Sequence, residues 1–390
     1  MLKRIHIGIL IVIGIFFIGC SSTKTAFNLD EIEKNRVLKN AKIYLKEKPI
    51  TVTSSFSNRS AGTNHDFFSE GDYWWPDVQN PSGPYIRKDG MTNPDNFTAH
   101  REAMIRFSQI SGALGSAYIL TNDKKYADQL AIHLRTWFIN ENTMMNPNLL
   151  YAQAVKGIAT GRGIGIIDTI HLIEVAKAIQ AIEDSESLSE ADLTAITLWF
   201  STYLNWLTTH EYGIAERDNG NNHSVCWTMQ VAAFASFTKD TLTMDFCRNF
   251  YKKTLLQNQM AKDGSFPLEL QRTKPYGYSL FNLDAMTSIC QILSTKEDNL
   301  FTYTTTDGRN LALGLQFMQP YIANKSQWPY QKDVMYWDEW PVRQSSLLFG
   351  GMALNNQSYL DLWKTLNGDF TNPEVIRNMP VRYPLLWMVK

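Results

Sequence analysis

Apolar residues recur with helical spacing along most of the chain. Between Asp30 and Glu47, Ile32, Val37, Ala41, Tyr44 and Leu45 fall near one face and predict a helix. From His100 onward the same period predicts a hairpin of helices over 101–120 and 124–140, turning at Thr121-Asn122-Asp123. Further helices are predicted over 166–184, 189–211, 222–238, 241–261, 279–295, 308–323 and 343–355. Strand-like alternation is weak throughout. Repeated helical hairpins without a dominant sheet predict an all-α fold, an α/α toroid (an incomplete barrel), with a helical solenoid as the other arrangement of such hairpins. Residues 50–99 differ, being rich in Ser, Asn, Gly, Pro and Trp; a loop this long is characteristically functional or a lid. The polar, aromatic stretches 71–101, 144–165, 216–228 and 263–282 mark the end of the toroid where a cleft is expected. No linker interrupts the pattern after residue 100, so 51–390 is expected to be one domain, preceded by a tether and N-terminal helix over 20–50.

The first residues, MLKRIHIGILIVIGIFFIGCSS, carry a different message. Lys3 and Arg4 precede an apolar run from Ile5 to Ile18, which is short for a membrane span and suits a secretory signal. Phe17-Ile18-Gly19-Cys20 resembles a bacterial lipobox, so residues 1–19 are expected to be a lipoprotein signal peptide and Cys20 the lipidated residue. That implies a membrane partner through a lipid anchor and a periplasmic or outer-membrane location in a Gram-negative bacterium. An uncleaved anchor is the other reading, and both put the domain outside the cytoplasm. The remaining cysteines, Cys226, Cys247 and Cys290, are odd in number and lack metal spacing, so they are read as buried small hydrophobes.

Composition narrows the function classes. Lys+Arg is 37 and Asp+Glu 38, a net charge of −1, with 44% hydrophobic residues; this excludes a disordered chain, a collagen and a histone-like nucleic-acid binder. Eleven Trp, 17 Tyr and 20 Phe either fill a large helical core or line a cleft for pyranose rings, which present flat C–H faces. Arg87, Lys88, Arg101, Arg162, Arg272 and Lys274 all fall in or beside the cleft loops, where they would steer a polyanion despite the neutral total.

Three constellations carry chemistry. In Gly71-Asp72-Tyr73-Trp74-Trp75-Pro76-Asp77, adjacent tryptophans on a Pro/Gly-rich loop act as sugar platforms or as plugs onto the barrel. In Asn219-Gly220-Asn221-Asn222-His223-Ser224, the asparagines suit a helix cap, and His223 falls in the first turn, where the helix dipole disfavours imidazolium. A neutral imidazole there suits a base or a donor to an anion. In the stretch 263–281, Arg272 and Lys274 lie beside Tyr276 and Tyr278, and two cations near a phenol are expected to lower its pKa toward acid–base use. A solvated basic stretch with core tyrosines is the alternative.

Taken in order, the YWWPD, GPYIR, NPNL, NNHS and ELQRTKPYGYSLFNL segments resemble the alginate lyase superfamily of polysaccharide lyases, closest to the family thirty-eight type and distantly to family five. The resemblance implies a helical toroid that cleaves a uronic-acid polymer, most plainly alginate, by metal-independent β-elimination, without cofactor or metal. Its Asn-His pair matches Asn222 and His223, its cleft Arg matches Arg272, and its catalytic Tyr matches Tyr278. The Arg-to-Tyr spacing needs a one-residue gap against family five, which leaves Tyr276 as a competitor. Gln153 and Arg162 fall in family-like loop positions, and Tyr73, Trp74, Trp75, Arg87, Lys274 and Tyr276 are expected to bind substrate. Asn222 and Arg272 would neutralise the uronate carboxylate, with Tyr278 and His223 as the acid–base pair. Two rivals remain: a glycoside hydrolase recruiting Asp72, Asp77, Glu216, Asp218 or Glu269, and a non-catalytic glycan-binding lipoprotein. A glucuronan lyase would use the same groups.

Overall fold

The computed structural model describes residues 27–388. The expected signal peptide, Cys20 and the tether up to residue 26 lie outside the described residues. Among those described, no helix is long and apolar enough to cross a membrane.

Five helices form an inner row: α2 (Ala99–Thr121), α4 (Leu172–Ala181), α7 (Asn222–Thr238), α11 (Pro275–Leu293) and α13 (Ser345–Ala353). In that order each packs on the next, except that the row stays open between α13 and α2. An outer row alternates with it: α3 (Lys124–Phe138), α5 (Glu190–Thr209), α8 (Thr241–Phe250), α12 (Leu311–Ala323) and α14 (Gln357–Thr365). The α1 helix (Leu29–Tyr44) packs on α2, burying Val37 and Ala41. This is the incomplete α/α toroid. Position in the two rows follows composition: α11 buries 17 of its 19 residues, whereas α8 buries only Cys247. A helix that is apolar all round must sit inside, and a one-sided helix covers it.

Short elements complete the chain. They are α6 (Glu211–Arg217), α9 (Leu256–Gln259), α10 (Pro267–Leu270) and α15 (Pro373–Arg377). Among the described residues, four short strands appear where no strand is predicted, all within the long loops. β1 (Phe68–Glu70) pairs in parallel with β4 (Tyr151–Ala154), and β2 (Trp74–Trp75) pairs antiparallel with β3 (Ile86–Arg87).

Several helix boundaries differ from expectation for local reasons. The predicted 166–184 helix is a 3-10 segment, Gly163–Thr169, followed by α4; the Thr169 hydroxyl at its end donates to Gln230 at 2.8 Å. The predicted 189–211 helix breaks at His210, whose Nδ1 accepts from the Tyr212 N–H and starts α6. The α11 helix begins four residues earlier than predicted. Pro275 occupies its first turn, and the distant Asp333 carboxylate accepts from the N–H groups of Tyr276 and Gly277, both at 2.9 Å.

Asp284, on α11, accepts from the Ser346 N–H at 2.9 Å inside the core. Burial pushes its carboxyl up to about 7, against the pull of hydrogen bonds from Ser345 and Ser346. A raised pKa means that the folded chain holds this proton more tightly than the unfolded chain does. The resulting stability is therefore full in acid and is lost as pH rises through about 7. Asp284→Asn keeps an acceptor and removes the titration. Its melting temperature relative to wild type should climb between about pH 4 and about pH 7, where only the unfolded wild type is ionised, and level off above that; a gap that stays constant between about pH 4 and 7 contradicts this account.

Candidate active site

The loops gather over one cavity of about 230 Å³. Its walls include Tyr73, Trp74, Arg87, Gln153, Arg162, Asn222, His223, Arg272 and Tyr278, so four loop regions remote in sequence meet there. Asp72, Ile164, Ile167, Asn219, Asn221, Phe281, Arg377 and Asn378 complete it.

A chain of buried ion pairs lies beneath the cavity. Asp168 stands 3.6 Å from Arg101, which binds Asp72 at 2.8 Å. Asp72 binds Arg377 at 2.7 Å, Arg377 binds Glu374 at 2.9 Å, and Glu374 binds Lys274 at 2.7 Å. Burial alone would raise the Asp72 carboxyl, but Arg101 and Arg377 outweigh it and hold it below the usual range. Glu374 is lowered in the same way by Arg377 and Lys274. Burial works against the Lys274 ammonium, and Glu374 overcomes it and raises its pKa. The cleft cations Arg101 and Lys274 are therefore spent on protein carboxylates.

At one end of this chain, Asp168 accepts from Gln153 Nε2 at 3.4 Å. The Gln153 backbone adopts φ +49°, a left-handed conformation rare for a side-chain-bearing residue and a mark of strain held at functional sites. Its carbonyl and Oε1 accept from Arg162 at 2.8 and 3.3 Å. Arg162 also sits 5.6 Å from the Trp74 ring, and Gly71 permits this: a Cβ there would stand 2.7 Å from the guanidinium. Arg162 makes no ion pair among the described residues. Burial, with Arg87 adding, pulls its pKa down to about 10, so it keeps its charge at neutral pH.

At the other end, Lys274 lies over the rings of Tyr73 and Tyr278, at 5.2 and 5.3 Å. Tyr278 stands in the first turn of α11, and the two phenol oxygens are 2.7 Å apart. Arg272 stacks on the Tyr278 ring at 4.6 Å, and its Nη2 lies 3.5 Å from the hydroxyl. The expected lowering of the Tyr278 pKa is corrected: burial dominates, Tyr73 adds to it, and Arg272 offsets only part, so the phenol is raised well above its ordinary value. Arg272 itself is held by Asp89, with Nη2 donating at 3.0 Å and Nε at 3.2 Å. Thr273 and Arg87 also bind Asp89. Burial would raise the Asp89 carboxyl, yet Arg272 brings it down to about 2.

The third wall is the start of α7. Asn221 caps it, its side chain accepting from the His223 N–H at 2.9 Å. His223 Nδ1 meets the buried Glu216 carboxylate at 2.7 Å, while the described residues supply no hydrogen bond to Nε2. Asn222 donates twice to Glu269, from its N–H at 2.8 Å and its amide at 2.6 Å. Burial raises both Glu216 and Glu269, and His223 and Asn222 respectively pull them back.

Three expected substrate contacts lie elsewhere. Tyr276 is fully buried among Trp328 and Trp337, and its hydroxyl donates to the Tyr321 carbonyl at 3.1 Å, because two residues along α11 from Tyr278 is a rotation of about 200°, which turns it away from the cavity. Lys274 is buried behind the tyrosine rings rather than at the cavity wall. Trp75 donates its Nε1–H to the Met91 carbonyl at 2.8 Å and packs under Lys88, since strand alternation sends it away from the side used by Trp74. Sequence reasoning missed Arg377, Asp89, Glu216 as a partner of His223, and Glu269 as a partner of Asn222. Arg377 lies in a C-terminal stretch without any motif. The rival carboxylates Asp72, Glu216 and Glu269 are bound to arginines, His223 and Asn222, and Asp218 to Arg217 at 2.7 Å.

A family profile described as "Alginate lyase" matches residues 51–328. Among solved structures, the chain is similar to an alginate lyase from Bacteroides ovatus, at 30% identity over 92% of this chain and 94% of that one, with a TM-score of 0.78. It is also similar to alginate lyase A1-III from Sphingomonas species A1, at 15% identity over 80% and 84% of the two chains and a TM-score of 0.52. A histidine-to-alanine variant of alginate lyase A1-III complexed with tetrasaccharide aligns at 14% identity over 91% and 94%, with a TM-score of 0.57. These two more distant likenesses concern the fold. No curated protein matches the chain.

Asp72→Ala would leave Arg101 and Arg377 buried without their shared carboxylate. Breaking a buried pair costs about 3–5 kcal/mol, and urea unfolding should reveal a loss of that size. A change below about 1 kcal/mol would mean that the pairs do not support the fold, as for exposed ones.

Proposed function

The chain belongs to the alginate lyase family and is a polysaccharide lyase, and from that premise we propose that it cleaves alginate or a related polyuronate by β-elimination in the cavity shared by His223, Arg272 and Tyr278. A base removes the C5 proton of a uronate. Its electron pair forms the C4–C5 double bond, the C4–O4 bond breaks, and an acid returns a proton to O4. The C5 proton is weakly acidic while the adjacent carboxylate stays negative, so donors and cations must meet that carboxylate as charge builds.

The observation that carries this reading is which cavity groups are already partnered. Glu216 fixes the His223 ring and leaves Nε2 for substrate. Burial keeps Tyr278 a neutral phenol, suited to giving its proton to O4. Arg162 makes no ion pair among the described residues and is the guanidinium best placed in charge to receive a carboxylate. Asn222 retains a second amide hydrogen beyond its bond to Glu269, and Arg272 adds its charge beside the phenol. In guluronate the C5 proton and O4 lie on opposite faces, and His223 is the base. In mannuronate and glucuronate they share a face. There one residue, Tyr278, would have to take the C5 proton and return it to O4, which needs its phenolate; burial opposes that form and Arg272 supports it only in part, so the neutral phenol favours the guluronate course, with His223 as base. The relatives described as alginate lyases, one with a bound tetrasaccharide, support a polysaccharide of this class.

Elimination creates an unsaturated uronate that absorbs in the near ultraviolet; hydrolysis and simple binding create none. Incubation with alginate, glucuronan and neutral glycans should give that absorbance with a polyuronate alone. Tyr278→Phe should stay folded and lose about 10²–10⁴-fold in kcat. His223→Ala should lose more on polyguluronate than on polymannuronate. A folded Tyr278→Phe with full activity would overturn the assignment.

A further inference from the structure

We propose that a second cavity, on the far side of the 154–161 turn, binds the neighbouring uronate residues of the polymer as a subsite region distinct from the reacting one. This inference rests on the lyase reading above. The second cavity measures about 850 Å³, against about 230 Å³ for the first. The two share a wall. Gln153 and Arg162 line the first, and the segment between them, Ala154 to Gly161, lines the second.

The opposite bank is shared as well. Tyr85 and Arg87 flank Ile86 at the β3 strand, so strand alternation turns both to one side. Tyr85 looks into the second cavity and Arg87 into the first. The Tyr85 N–H donates to the Lys156 carbonyl at 3.1 Å and ties the two banks together. The junction is close-built: Gly157 has φ +76°, and a Cβ there would stand 2.9 Å from the Pro84 backbone. Tyr85 and Arg87, two residues apart on one face of the strand, set the two cavities side by side, so a polymer crossing the joined banks would reach from one to the other.

The second cavity has the chemistry of a uronate. Lys156 is exposed and makes no ion pair among the described residues, with its ammonium 5.6 Å from the Tyr85 ring. Tyr212 donates its hydroxyl to the Gly161 carbonyl at 3.0 Å, which holds its ring against the cavity. Ile158 stands 55% exposed on the turn, an apolar side chain that the fold itself does not use. A uronate brings a carboxylate for Lys156 and flat C–H faces for the tyrosines. Arg59, at the rim, is tied to Glu70 at 2.6 Å and leaves Lys156 as the free cation of the cavity among the described residues.

The test is turnover of defined polyuronate oligosaccharides, from the shortest that is cleaved up to the polymer, by wild type, Lys156→Ala and Tyr85→Ala. Wild-type kcat/KM should rise with chain length. Each variant should flatten that rise through KM, losing about tenfold on polymer, the equivalent of one charge-assisted contact. The shortest substrate should be cleaved at the wild-type rate, and Lys156→Arg should restore the rise. Losses that are equal at every length, or no loss at any length, overturn the inference and leave the lyase reading standing. A wild type that cleaves no polyuronate overturns both.

Discussion

The buried ion chain Asp168–Arg101–Asp72–Arg377–Glu374–Lys274 is the constraint on which the site depends. It holds three carboxylates and three cations from five separate segments, Glu374 and Arg377 sharing α15, so its formal charges cancel. Desolvating so many charges is expensive, and each member is tolerated only because its neighbours are present. The arrangement therefore fixes where the long loop, α2, the start of α11 and the C-terminal α15 sit relative to one another. Its two ends do different work. Through Gln153 it orients Arg162 on one wall, and through Lys274 it underpins the Tyr73–Tyr278 pair on the other.

Because that floor is neutral, the character of the cavity is set by the groups outside it. Arg272 is paired with Asp89, whereas Arg162 makes no ion pair among the described residues and feels Asp168, Asp72 and Glu216 only at longer range. Glu216 and Glu269 do not face substrate as free carboxylates; they hold His223 and Asn222 in place. A cavity so arranged suits an anion and presents to it one imidazole nitrogen and the paired phenols of Tyr73 and Tyr278. The same features make it a poor setting for hydrolysis by paired carboxylates, which needs an acid and a base that are both at liberty.

Much of this was legible in the sequence. The 3.6-residue period marks amphipathic outer helices such as α3, while inner ones such as α7, apolar nearly all round, are legible from their length and sustained apolar content. The Asn222-His223 pair, Arg272 and Tyr278 could be read as cavity residues because local motifs mark them. What was not legible depends on distant contacts. Asp333 starts α11 from more than fifty residues away, and that start decides which of Tyr276 and Tyr278 faces the cavity. Lys274 reads as a substrate-binding cation of the cleft until Glu374 is brought to it. The phenol's expected acidity failed for a related reason: proximity to cations is visible in sequence, and burial is not.

The central claim is that one uronate ring is held by all of these groups at once. The most direct test is a crystal structure of Tyr278→Phe with a bound polyuronate oligosaccharide. The account predicts a uronate carboxylate within hydrogen-bond reach of Arg162 or Asn222, with C5 and O4 of the cleavable linkage directed at His223 Nε2 and the vacated phenol position. A sugar seated with its carboxylate in solvent, or with the linkage away from both residues, would contradict it.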